Sequence, residues 1–311
     1  MPMFRSHFVC GLTAVAMPIL AATPVRAEFL AGDVLLNNFA GANIEQIAAD
    51  GTLTQTFTGT GQFWVGASLT PEGNLVTVYR NIGSIVAGVN VLLPDGTEQT
   101  TFSFTNANPG DVAVFADGTI AVSAANYDRV DRYSPTGTPL GFIKTLGMDA
   151  PGGVAIGPDD TLWVANRSSF DLSHMAQDGT DLGGFPLPFS PGDVVVDPTD
   201  ATLWVSDKDS GLLYHYSTAG VSLGSFPTGV SGDFQGLGIG SDGTLYVTGI
   251  GSSAILRYAS DGTLLGSLPI DSPATPFRLT VVPVPEPAAL VIAGIGLLGL
   301  AAVCRRASCR A

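Results

Sequence analysis

A glycine that closes a short polar turn returns along this chain at Gly51, Gly96, Gly137, Gly179, Gly220 and Gly262, at steps of 45, 41, 42, 41 and 42 residues. A period near 42 that combines Gly/Asp turns with alternating apolar residues is the signature of a β-propeller blade. One full unit runs from Gly153 to Gly183, GVAIGPDDTLWVANRSSFDLSHMAQDGTDLG. The expected fold is therefore all-β, with four short antiparallel strands in each repeat.

In the third unit these strands read as Val112 to Phe115, Thr119 to Ala124, Arg129 to Tyr133 and Pro139 to Ile143. The second strand repeats most clearly, as TIAV at 119, TLWV at 161 and 202, and TLYV at 244. Its apolar residues must bury on both sheet faces, because a blade is packed between two neighbours. The first unit lacks an opening strand: Gly32 to Asn38 matches a second strand, Ile44 to Ala48 a third and Leu53 to Phe57 a fourth. In complete units the first strand starts about 16 residues after the turn glycine, as from Gly220 to Gly236. The same offset from Gly262 reaches Arg278, where Arg278-Leu279-Thr280-Val281-Val282 reads as a strand. That segment is expected to complete the first blade and shut a six-bladed ring, leaving only short, protected sheet edges.

Of 13 basic and 27 acidic residues, five basic ones (Arg5, Arg26, Arg305, Arg306, Arg310) and one acid (Glu286) lie in the two terminal segments. The body keeps eight basic and 26 acidic residues, a net of about −18, so it repels phosphate backbones and nucleic acid is excluded as a partner. Cys10, Cys304 and Cys309 are likewise terminal. Disulfides, thiolate catalysis and cysteine-ligated zinc are thereby removed from the body.

Residues 1–27 place Arg5 and His7 before the apolar run Phe8 to Ala22 and end in Val25-Arg26-Ala27, which reads as a secretory signal peptide. The propeller then occupies 28–283. Pro283, Pro285 and Pro287 make a stiff exit from it. Residues 288–304, AALVIAGIGLLGLAAVC, would span about 26 Å as a helix, near the lower limit for a bilayer. Arg305, Arg306 and Arg310 would hold the far end in the cytoplasm.

Val284-Pro285-Glu286-Pro287, followed by a spanning helix and an arginine cluster, resembles the PEP-CTERM sorting signal over residues 284–311. The resemblance implies that Pro285-Glu286-Pro287 is recognised by an exosortase, a membrane protease or transpeptidase of exopolysaccharide-making Gram-negative bacteria. It further implies export across the inner membrane, cleavage near the motif, and a destination at the cell surface or beyond. Residues 32–282 resemble NHL and gluconolactonase-like six-bladed propellers through GVAIGPDDTLWVAN at 153, GLGIGSDGTLYVTG at 236 and ILRYASDGTLLG at 255. Such propellers act as lactonases, lyases or binding platforms, so function has to be argued from a site.

Two enzyme-like motifs dissolve in the repeat. The GxGxxG at Gly238 to Gly243 falls on the turn between first and second strands, and the GxSxG at Gly220 to Gly224 on the hairpin between third and fourth. His174 and His215 share one third-strand position with Arg132 and Arg257, which reads as structural. Ligand residues are instead expected at one channel mouth, where first strands begin and second strands end. That places Trp64, Asp111 and Asp193 beside Asn166 and Asp207. Asp111 and Asp193 stand where Gly66, Gly153 and Gly236 stand in other blades. Two converging carboxylates could hold Ca²⁺ or another divalent cation, or simply accept backbone hydrogen bonds. The asparagine that gluconolactonase-like sites place before a first-strand glycine is missing, since Val65, Gly152 and Gln235 stand there. The expected role is therefore a non-enzymatic binding or scaffold module for a polysaccharide or surface protein, with a metal-dependent lactonase or lyase as the alternative.

Overall fold

Alternating apolar strands with a turn every few residues cannot bury both faces in one sheet, and this chain solves the problem by stacking six sheets around an axis. The computed structural model describes residues 29–283 apart from 40, 42, 60, 62, 82–85, 106–107, 231–235 and 271–274. The expected signal peptide, the residues Val284, Pro285, Glu286 and Pro287, and the helix read at 288–304 lie outside the described residues.

The six sheets are each four-stranded and antiparallel. The third blade comprises Pro109–Val114, Ile120–Ala124, Arg129–Tyr133 and Pro139–Ile143, within a few residues of the expected bounds. Its first strand begins earlier than expected because a bulge between Pro109 and Val112 adds residues without breaking the pairing. The first blade joins both ends of the domain. Pro276–Val281 pairs antiparallel with Val34–Asn38, matching Val34 to Val281 and Asn37 to Arg278. Each inner strand touches the inner strands of two neighbouring blades, so the six close a ring.

Six apolar clusters fill the six gaps between blades. Between the third and fourth, Phe115, Val130 and Ile143 meet Leu162, Val164 and Met175. Between the first and second, Leu35, Ile44 and Phe57 meet Trp64, Leu75 and Tyr79. Burial on both sides of a blade explains why the second strands Leu162–Asn166 and Leu203–Asp207 are buried at every residue.

The recurring Asp-x-Thr is a turn device. Asp95, Asp117, Asp178 and Asp261 each accept a hydrogen bond from the backbone N–H two residues on, at 2.8–2.9 Å. At Gly220 the backbone is left-handed, with φ of +78°, and an added Cβ would sit 2.6 Å from the Phe185 ring of the preceding blade. The periodic glycine therefore serves both the hairpin and the packing of adjacent blades.

His174 and His215 stack on the cross-strand indoles of Trp163 and Trp204, each at 4.0 Å between ring centroids. Their Nε2 atoms meet the hydroxyls of Thr161 at 2.8 Å and Thr202 at 2.7 Å. Burial holds both imidazoles below their ordinary pKa, which favours the neutral ring. These contacts are the structural role the repeat implied.

Candidate functional site

The upper face of the ring is the side where inner strands begin and second strands end. Just beneath it, on the axis, three blades contribute one charged residue each. Arg278 comes from the inner strand of the first blade, Asp111 from the third and Asp193 from the fifth. Arg278 Nη1 lies 3.1 Å from Asp111 Oδ2 and 2.5 Å from Asp193 Oδ1. Its Nε donates to the Gly110 carbonyl at 3.1 Å and its Nη2 to the Gly192 carbonyl at 3.5 Å. The guanidinium is 2% exposed, so it depends on these partners rather than on water.

The intervening blades place glycine at this level for a steric reason. An added Cβ at Gly66 would lie 2.8 Å from the Asp111 Cα, and one at Gly153 would lie 2.8 Å from the Asp193 Cα. Alternation of charged residue and glycine lets six strands converge on one axis. The carboxylates also tie blades in pairs. Asp111 Oδ2 accepts from the Val154 N–H of the fourth blade at 3.2 Å, and Asp193 Oδ2 from the Leu237 N–H of the sixth at 3.4 Å. Thr280 of the first blade donates to the Ala67 carbonyl of the second at 2.6 Å.

Burial raises the pKa of both carboxyls, Asp111 to about 7, with the Arg278 charge pulling each the other way. One guanidinium faces two buried carboxyls, and the longer ion pair makes Asp111 the easier of the two to protonate. A carboxyl whose folded pKa is raised adds stability in full below its unfolded value near 3.8, and loses it as pH rises through the folded value near 7. Asp111→Asn, a permanently neutral replacement, is therefore expected to flatten the fall in melting temperature between about pH 4 and pH 7. Comparison of the two proteins' melting curves cancels the opposite trend from His174 and His215. Unchanged pH dependence in the variant would contradict the assignment.

Of the residues expected at the mouth, the structure brings Asp111 and Asp193 together and leaves the others elsewhere. Trp64 is fully buried between the first and second blades, because the bulge between Trp64 and Gly66 turns its ring away from the axis. Asn166 turns back onto its own blade, donating to Asp171 at 2.6 Å and Ser173 at 2.8 Å. Asp207 caps its own turn, accepting from the Asp209 N–H at 3.1 Å and the Ser210 hydroxyl at 2.5 Å. The residue missed in the sequence is Arg278. Its signal was present: it occupies the inner-strand level that holds glycine or aspartate in the other blades.

The oxygen groups a hard cation would use here, two carboxylates and the Gly110 and Gly192 carbonyls, all face the same guanidinium. They do not fit Ca²⁺ without expelling Arg278. Among the described residues, no three or more His, Cys, Asp or Glu side chains are grouped as a metal site. The cluster separates two cavities on the axis. Below it, a cavity of about 260 Å³ is walled by inner strands, including Val112, Val154, Val194 and Leu279. Above it lies a cavity of about 290 Å³ lined by Phe39, Arg80, Asn108, Arg167, Ile250 and Phe277, among others.

This geometry defines a six-bladed β-propeller whose ring is closed by its C-terminal strand. Several solved structures share the fold. A chain in a nidogen/laminin complex is 14% identical with a TM-score of 0.67, covering 80% of this chain and 98% of that one. A protein of unknown function from Bacteroides caccae is 13% identical with a TM-score of 0.64, covering 81% and 99%. Catalytically inactive virginiamycin B lyase from Staphylococcus aureus with quinupristin is 17% identical with a TM-score of 0.57, covering 80% and 87%. Identities this low speak for the fold alone. Comparison with curated proteins finds no sequence match. The particular protein is marked by its tail: residues 283–306 match the PEP-CTERM protein-sorting motif. The motif implies an exported chain processed by an exosortase.

Proposed function

We propose that the chain is exported by its N-terminal signal peptide, passed to an exosortase through Pro285-Glu286-Pro287, and displayed at the cell surface or in the matrix as a non-enzymatic binding or scaffold module. Its partner in this reading is a polysaccharide or a surface protein. The observation that supports it most is the Asp111–Arg278–Asp193 cluster. The carboxylates that converge on the channel are bound to an internal cation and to neighbouring blades, so they serve ring closure rather than a substrate. No divalent cation is assigned to the channel in this reading, because Arg278 supplies the positive charge.

Elemental analysis and turnover assays of the purified full chain test this. The expected result is less than stoichiometric calcium or transition metal and no hydrolysis or elimination of lactones and sugar acids. Metal-dependent turnover that Asp111→Ala abolishes would overturn the proposal in favour of a lactonase or lyase. Panels of glycans and of surface proteins then identify which class of partner is bound.

A further inference from the structure

The described lining of the cavity above the plug has a composition opposite to that of the body around it. Two of the body's eight basic residues, Arg80 and Arg167, line it, and none of its described lining residues is acidic although the body carries 26 acids. Arg80 ends the second strand of the second blade, and Arg167 directly follows the second strand of the fourth. Both side chains thus reach the same recess from blades that flank the third. Arg80 donates to the Asn108 side chain and places its guanidinium 5.0 Å above the Phe39 ring. Phe39 in turn packs against Phe277 at 5.2 Å between centroids. Guanidinium groups offer five donors in a planar fork, so Arg80 retains donors beyond those its neighbours use.

From this arrangement we infer that the upper cavity binds a small organic acid, its carboxylate on the Arg80 and Arg167 guanidiniums and its ring or other flat apolar face against Phe39, Phe277 and Ile250. The inference goes beyond the proposed binding role, whose partner is a polysaccharide or a surface protein. Three features carry it. Arginine guanidiniums match carboxylate geometry and form charge-assisted hydrogen bonds, and two arginines line this one recess. Phe39, Phe277 and Ile250 offer apolar surface that a simple inorganic anion would leave unused. A volume of about 290 Å³ suits one ring with its acid group rather than an extended chain. The Gly110 backbone, held from below by Arg278, lines the same cavity and separates it from the charged plug.

Calorimetric titration of the full chain in detergent, with galacturonate, benzoate, galactose, benzyl alcohol and sodium sulfate as separate probes, tests the inference. At least one of the two organic acids is expected to bind with one site per chain, while its neutral counterpart does not. Galacturonate binding alone points to a saccharide acid, and benzoate alone to an aromatic acid. Arg80→Gln and Arg167→Gln are each expected to weaken that binding about tenfold or more, with the melting temperature confirming that each variant is folded. Should one variant fail to fold, the other decides the matter. Equal binding of neutral and acidic probes, binding of sulfate alone, or affinities untouched by both substitutions would overturn the inference. Binding of a polymeric glycan or surface protein with no response to any acid would refute this site while leaving the wider binding role standing.

Discussion

Replacing Arg278 with methionine is expected to lower folding stability by about 3–5 kcal/mol at pH 8, the usual cost of removing one partner from a buried ion pair. Methionine fills part of the volume but leaves Asp111 and Asp193 facing each other without a cation. Both carboxyls must then either ionise in a dry, like-charged site or take up protons against the bulk pH. The loss should shrink as pH falls toward the unfolded carboxyl value near 3.8, where protonation removes the unpaired charge at little cost. Thermal and chemical denaturation at pH 8 and pH 5 read the effect. Equal losses at both pH values would point to lost packing rather than lost charge balance.

Trp64→Ala is expected to cost about 3–5 kcal/mol as well, for a different reason. The indole is fully buried and packs with Leu35, Ile44 and Phe57 of the first blade and Leu75 and Tyr79 of its own. These contacts cross the gap next to the closing strand, so the cavity left behind weakens closure directly. Trp64→Phe, which keeps most of the apolar contact, should cost well under half as much. Denaturation midpoints for the two variants check this. A Trp64→Ala protein of unchanged stability with weakened ligand binding would instead place the ring at the mouth.

Much of the architecture was legible because it depends on local chemistry repeated many times. Asp-x-Thr turns, their glycines and the second strands around Trp163 and Trp204 each recur at one interval, and every copy confirms the others. Closure was legible too, because the spacing from Gly262 to Arg278 repeats that from Gly220 to Gly236. Pro276–Val281 indeed pairs with Val34–Asn38. Side-chain direction near the axis was less accessible. Bulges at Pro109/Val112 and Trp64/Gly66 break the two-residue alternation on which inward and outward assignments rest. Asn166 and Asp207 sit at the expected ends of strands, yet short polar side chains bond locally before they reach a channel.

Arg278 shows the same limit from the other side. Its strand was recognised from apolar neighbours, while its partners lie 167 and 85 residues away in sequence, on the third and fifth blades. Nothing in a local pattern pairs them. The numerical hint was the placement of aspartate, aspartate and arginine at a level otherwise occupied by glycine, and it becomes a charge-balance argument only once the ring is closed.

The most direct measurement is a thermodynamic cycle at pH 8 joining Arg278→Met with the double replacement Asp111→Asn and Asp193→Asn. If Arg278 locks the ring by balancing these carboxyls, the triple variant should be more stable than the losses of its two parents would sum to, by about 2 kcal/mol or more. Losses that simply add would show that Arg278 and the two aspartates act independently, and would contradict closure of the ring by charge balance.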